Sequence, residues 1–216
     1  SLHVDPMFAE DGPLSRCLSG WEPRLQQVEM ACAVANAFES KRTLLVEAGT
    51  GVGKSFGYLV PAIRRIREHG EKVLIATNTI TLQEQLMNSD APTLHKAFGG
   101  GFSPVLVKGR ANYVSIRRLE RAKQRASSLL SDAKAIKSLD QLVRWSKATT
   151  DGSKATMPTL PRGDVWDLAR SDAGNCLGRK CPKHETCFYQ EARREMERGN
   201  LLICNHALFF SDLALR

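Results

Sequence analysis

Short apolar runs set at wide intervals organise this chain. Lys72-Val-Leu-Ile-Ala76, Ser103-Pro-Val-Leu-Val107 and Leu201-Leu-Ile-Cys204 are short, nearly continuous and rich in branched aliphatics. That is the signature of strands buried on both faces, as in a parallel sheet. A fourth run, Thr43-Leu-Leu-Val46, predicts a strand as well. Between the runs the pattern changes to helical spacing. Pro23 is placed to open a helix reaching Phe38. A second helix starts at Ser55 and ends near Gly70, and a third starts around Leu82 and ends before Gly99-Gly-Gly101. From about 114 to 148 the chain reads helical and basic, and from 150 to 175 it is loop-rich. Glu191 to Arg198 reads as a charged helix, and Asn205-His-Ala-Leu-Phe-Phe210 starts another.

The pattern predicts an α/β fold with a parallel sheet and a mostly helical, cysteine-containing insertion. Residues 1–20 read as an irregular lead-in and 21–107 as the first sheet-forming part. Residues 108–188 are the insertion, and 189–216 return to the sheet. At 216 residues, 42% apolar and 25% charged, the chain has the composition of a soluble globular protein. No apolar run approaches the roughly 18 residues of a membrane span. No secretory signal is evident, so a cytoplasmic, reducing setting is expected. The missing initiator Met suggests a piece of a longer protein.

The net charge is +8. Its excess lies between Val105 and Thr150, where Lys108, Arg110, Arg117, Arg118, Arg121, Lys123, Arg125, Lys134, Lys137, Arg144 and Lys147 face Glu120, Asp132 and Asp140. Such a basic stretch suits a polyanion, most simply nucleic acid; a solvated helical surface explains it equally well.

The most informative stretch is Glu47-Ala-Gly-Thr-Gly-Val-Gly-Lys-Ser55. Strand, glycine-rich turn and helix is the context of a phosphate loop. Gly49, Gly51 and Gly53 let backbone N–H groups approach phosphate oxygens, with Ala48, Thr50 and Val52 completing the turn. A helix N-terminus then meets the anion. Lys54 is assigned to the β/γ-phosphates and Ser55 to Mg²⁺. Upstream, Arg24 and Gln27 share a helix face, and a glutamine amide can match the donor–acceptor edge of adenine. Downstream, Thr77, Asn78, Thr79 and Gln83 follow a strand end, where small polar side chains suit a phosphodiester backbone; ordinary helix capping is the alternative.

The six cysteines include a close set, Cys176-x4-Cys181-x5-Cys187. Thiolates on a turn-rich segment select zinc or iron–sulfur. His184 could complete a zinc site of three cysteines and one histidine. Disulfide pairing, or no metal, is the alternative.

Arg24-x-x-Gln27, Ala48-Gly-Thr-Gly-Val-Gly-Lys-Ser55, Thr77-Asn-Thr with Leu82-Gln-Glu-Gln-Leu86, Lys108-Gly-Arg-x-Asn-Tyr113 and Asn205-His-Ala-Leu follow one another in order. Together they resemble the superfamily-two DNA helicases of the DinG/XPD type, over Trp21 to Arg216. The resemblance implies a RecA-like first motor domain interrupted by an iron–sulfur domain. It implies ATP- and Mg²⁺-dependent 5′–3′ movement on single-stranded or forked DNA, as a monomer. It also implies DNA contacts from Lys108, Arg110, Asn112 and Tyr113, and cluster ligation by Cys176, Cys181 and Cys187. Where the family's first cluster cysteine falls, this chain has Ser115. The fourth ligand is therefore open between Ser115 and His184, and 4Fe–4S and zinc both remain. No Asp-Glu-x-His occurs in these residues, so this piece is expected to bind nucleotide weakly and not to turn it over. A metal-dependent nucleic-acid-binding module and an ATP-dependent nuclease are the competing readings.

Overall fold

The computed structural model describes residues 5–49, 51–130 and 132–214. They form two compact units, residues 1–107 with 198–216 and residues 108–197.

The first unit is built on a parallel sheet of β1 (Val73–Thr77), β2 (Pro104–Leu106) and β3 (Leu201–Asn205), in the order β1-β3-β2. Val73 pairs with Leu201 and Thr77 with Asn205 on one side, and Pro104 with Leu201 on the other. The central strand comes last in sequence, and its Leu201 and Ile203 are fully buried. Burying each such side chain contributes about 1.5–3 kcal/mol. Helices α1 (Pro13–Cys17), α2 (Leu25–Ser40), α3 (Lys54–His69), α4 (Ile80–Gln85) and α5 (Ala91–Phe98) belong to this unit, and α11 (His206–Ala214) follows β3. Leu59, Val60, Ile63 and Ile66 of α3 join Leu86, Leu94 and β3 in one core. Glycine C-caps at Gly70 and Gly99 in the left-handed conformation end α3 and α5.

Two sequence expectations change here. The lead-in is ordered from residue 5. Asp5 caps a turn at Pro6–Phe8 and forms a bidentate ion pair with Arg64, while Phe8 and Leu14 are buried in the core. Short turns whose one or two apolar residues pack against distant helices leave no periodic signal. Thr43–Val46, in contrast, joins no strand ladder, and Leu45 is 97% exposed. A strand exists only with a partner edge, and none of the described strands pairs with this run.

The second unit contains α6 (Ile116–Gln124), α7 (Ala126–Leu129), α8 (Ala133–Ala148), α9 (Gly163–Ala169) and α10 (Phe188–Arg198). Val114, Leu119, Leu139, Leu142, Val165 and Trp166 form its core. Two antiparallel bridges, Tyr113 with Ser153 and Val114 with Arg170, tie its start to its loop-rich stretch. Most of α10 falls in this unit, so it ends at Glu197 rather than at residue 188. Among the described residues no helix is long and apolar enough to cross a membrane.

Candidate nucleotide-binding site

The phosphate loop meets α3 at Gly53, the N-cap of that helix, held at φ 77°. Gly51 has φ 80°. A side chain at either position would be strained. Gly53 is constrained a second time, because a Cβ there would stand 2.1 Å from Nε2 of Gln27. Its carbonyl accepts from that same amide nitrogen at 2.7 Å. Arg24 donates to the carbonyl of Gly51. The upstream helix thus grips the turn at two carbonyls and leaves the amide donors of the loop to a ligand. Gln27 is 2% exposed, and its Oε1 is buried without a hydrogen-bond partner. Helices α2 and α3 also approach closely where Met30 packs against Gly57, whose missing Cβ leaves room for the thioether.

Lys54 opens α3, and its Nζ donates to the carbonyls of Ala48 and Gly49 at 2.9 and 2.8 Å. The ammonium therefore lies over the turn, where a phosphate would replace those carbonyls. Gly49 is exposed, Ala48 and Val52 are half-buried, and Thr50 lies outside the described residues. Ser55, the next residue of α3, is half-buried and hydrogen-bonds both Tyr58 and Asp90. Burial raises the Asp90 carboxyl above the usual carboxylate range, and the bonds from Ser55 and Gln85 oppose that rise. Burial also raises the Tyr58 phenol. Sequence reasoning missed Tyr58 and Asp90.

The polar residues after β1 divide into two groups. Asn78 and Thr79 are exposed, whereas Thr77 and Gln83 are 4% and 6% exposed. Thr77 Oγ1 donates to the carbonyl of Thr79, and Thr79 Oγ1 caps α4 by accepting from Leu82 N at 3.2 Å. Only Asn78 and Thr79 of this set face solvent.

Within the second unit, the Lys108–Tyr113 segment turns largely inward. Lys108 Nζ donates to Ser153 Oγ at 2.8 Å. The Arg110 guanidinium lies 4.1 Å from the ring centre of Tyr189, with Nη1 buried and without a hydrogen-bond partner. Tyr113 is 5% exposed, packs on Tyr189 and has its phenol pushed up to about 12 by burial and by Asp151, Glu195 and Tyr189. Asn112 remains exposed.

Cys176, Cys181 and Cys187 are free thiols that line one cavity with Arg110, Ser115 and His184. The N–H of Gly178 lowers the Cys176 thiol, and Arg110 adds to that effect. Among the described residues, no three His, Cys, Asp or Glu side chains are placed to hold a metal ion. Ser115 caps α6, accepting from Arg118 N, and His184 Nδ1 lies 3.1 Å from Glu185 Oε1. The zinc set of Cys176, Cys181, His184 and Cys187 is therefore not assembled.

Comparison with known proteins agrees with the motif order. The family described as DEAD/DEAH box helicase matches residues 29–138. The chain is 37% identical over 214 residues to the ATP-dependent DNA helicase YoaA of Escherichia coli, and 36% identical over 211 residues to its namesake in Haemophilus influenzae. Each alignment covers 97% of this chain and 32% of the relative. The ATP-dependent DNA helicase DinG of Photobacterium profundum is 34% identical over 215 residues, across 94% of this chain and 31% of that protein. The chain thus spans about a third of the length of these relatives. With its parallel sheet and its phosphate loop at the start of α3, the chain belongs to the DEAD/DEAH box helicase family.

Proposed function

We propose that this chain is the ATP-binding part of an ATP-dependent DNA helicase, residues 5–107 and 198–214 forming much of its first motor domain. The observation that carries the reading is the turn at Gly51 and Gly53, which delivers Lys54 and Ser55 to the first turn of α3 with backbone donors free. Mg²⁺ supplies charge neutralisation of the phosphates when bound, with Ser55 as its protein ligand here. Lys54 exchanges its loop carbonyls for phosphate oxygens. Arg24 and Gln27 hold the turn from behind, which places Gln27 beside the nucleotide site. Nucleotide binding and hydrolysis alternately close and open the motor domains of the whole protein, and each cycle advances a DNA strand held through its phosphates.

Exposed Asn78 and Thr79 are the proposed backbone contacts of the first unit, and Asn112 with the exposed basic residues of α6 and α8 those of the second. Movement from 5′ to 3′ on single-stranded or forked DNA, as a monomer in the cytoplasm, follows from the DinG/XPD resemblance. The iron–sulfur expectation meets a donor set that does not fit it, because Ser115 is committed to a helix cap and the thiols do not converge. No step of the proposed mechanism runs through a metal at the cysteines.

The test uses the whole protein. DNA-stimulated ATP hydrolysis and strand displacement on a fork with a 5′ tail are expected, both lost in Lys54→Ala. Hydrolysis retained in that variant would overturn the reading.

A further inference from the structure

The segment after β1 does more than present polar side chains. Between α4 and α5 the helix widens into a π turn, Leu86–Asp90. Such a turn re-aims the side chains around it, and it recurs at functional positions. Here it ends on Asp90, which is 6% exposed. Asp90 immediately precedes α5, yet its side chain makes no capping bond to that helix. Its carboxylate instead meets the hydroxyl of Ser55 and Nε2 of Gln85, the latter at 3.4 Å. Among the described residues the groups acting on it include no cation. A buried carboxylate satisfied only by neutral donors is costly to keep, and such groups concentrate at functional sites.

We propose that Asp90 is a positioning residue that orients the Ser55 hydroxyl for magnesium. A serine hydroxyl has one proton and two lone pairs, and an ionised carboxylate only accepts. The Ser55 proton must therefore go to Asp90. Tyr58, one turn along α3, then bonds Ser55 as a donor and occupies one lone pair. The second lone pair is left for the cation. Without Asp90 the hydroxyl is free to rotate its proton toward the metal, which a cation disfavours. In Asp90→Asn the amide can also turn its N–H to Ser55 and compete for the remaining lone pair.

This inference rests on the nucleotide-binding reading. Its test is titration of the whole protein with a fluorescent ATP analogue, in Mg²⁺ and in EDTA, beside melting without nucleotide. Asp90→Asn should weaken binding about tenfold in Mg²⁺ and leave binding in EDTA and the melting temperature unchanged. In a Ser55→Ala background it should add nothing. Gln85→Ala, at an exposed position, should give a smaller Mg²⁺-specific loss of about two- to threefold, and it serves if Asp90→Asn does not fold. Unchanged Mg²⁺-dependent affinity, or equal losses with and without Mg²⁺, overturns the proposal. If the unaltered protein does not bind the analogue, the nucleotide-binding reading fails. Binding that is lost in Lys54→Ala but untouched in Asp90→Asn removes only the role of Asp90.

Discussion

The phosphate loop and the cysteine loop are both glycine-bearing turns that carry reactive side chains, and they differ in how far each is formed without a ligand. The first is complete. Its carbonyls are gripped by Arg24 and Gln27, and its last glycine starts a helix. The second gathers three thiols around a cavity, but Ser115 is occupied at a helix cap and Arg110 keeps a buried nitrogen without a hydrogen-bond partner. A backbone-built site is pre-organised by dihedral angles that the glycines themselves permit. A side-chain-built site needs its full ligand set before convergence outweighs the ordering cost.

The largest effect that would break this comparison is at Lys54. Lys54→Ala should lower ATP hydrolysis of the whole protein by about 10²–10³-fold, the scale of losing one charge-stabilising donor; steady-state kinetics with saturating DNA reads it. Gly53→Ala should come next. It imposes a left-handed conformation on alanine and places a methyl on the Gln27 amide. A cost of about 1–3 kcal/mol is expected for such a backbone conflict, measured as a lowered melting temperature with weakened ATP binding.

In the second unit the corresponding glycine is Gly152. Its φ is +60°, and a Cβ would stand 2.2 Å from the Phe188 ring. Gly152→Ala should destabilise this unit by a similar amount, about 1–3 kcal/mol. Hydrogen exchange at the Val114 amide, which donates to the Gly152 carbonyl at 2.9 Å, reports it locally. Ser115→Cys sharpens the contrast differently. It should raise iron content and visible absorbance of anaerobically purified protein above the wild-type level, while costing about 1 kcal/mol through the lost cap. Equal iron in both proteins would show that Ser115 does not limit assembly.

The smallest effect is the titration of Tyr113. Its folded-state value is raised to about 12, chiefly by burial. The contribution to stability is complete below about pH 10, the unfolded value. Between there and pH 12 the unfolded chain releases a proton that the folded one keeps, so stability falls as pH rises. Alkaline unfolding of Tyr113→Phe should lack that component.

Local features were legible in the order of residues alone. The three strands appear close to where apolar runs placed them, and α3 begins within the glycine-rich motif. What eluded pattern reading was non-local. Phe8 and Leu14 are buried by helices remote in sequence. Thr77 and Gln83 read as DNA contacts, yet both turn into the fold, because polarity alone does not tell a satisfied interior amide from a solvent-facing one. Asp90 gave no signal, since its approach to Ser55 depends on a π turn that shifts the helical repeat.

By itself, then, the sequence determined the phosphate loop, the α/β character and the ordered motifs that place the chain among DEAD/DEAH box helicases. These rest on dihedral permission, short-range hydrophobic period and residue identity, all local properties. Only the tertiary structure decided that Thr43–Val46 stays unpaired, that Arg110 and Tyr113 pack inside their unit, and that Ser55 meets a buried carboxylate. Pairing, burial and hydrogen-bond partnership depend on which distant segments share a core, and no local pattern of residues encodes that choice.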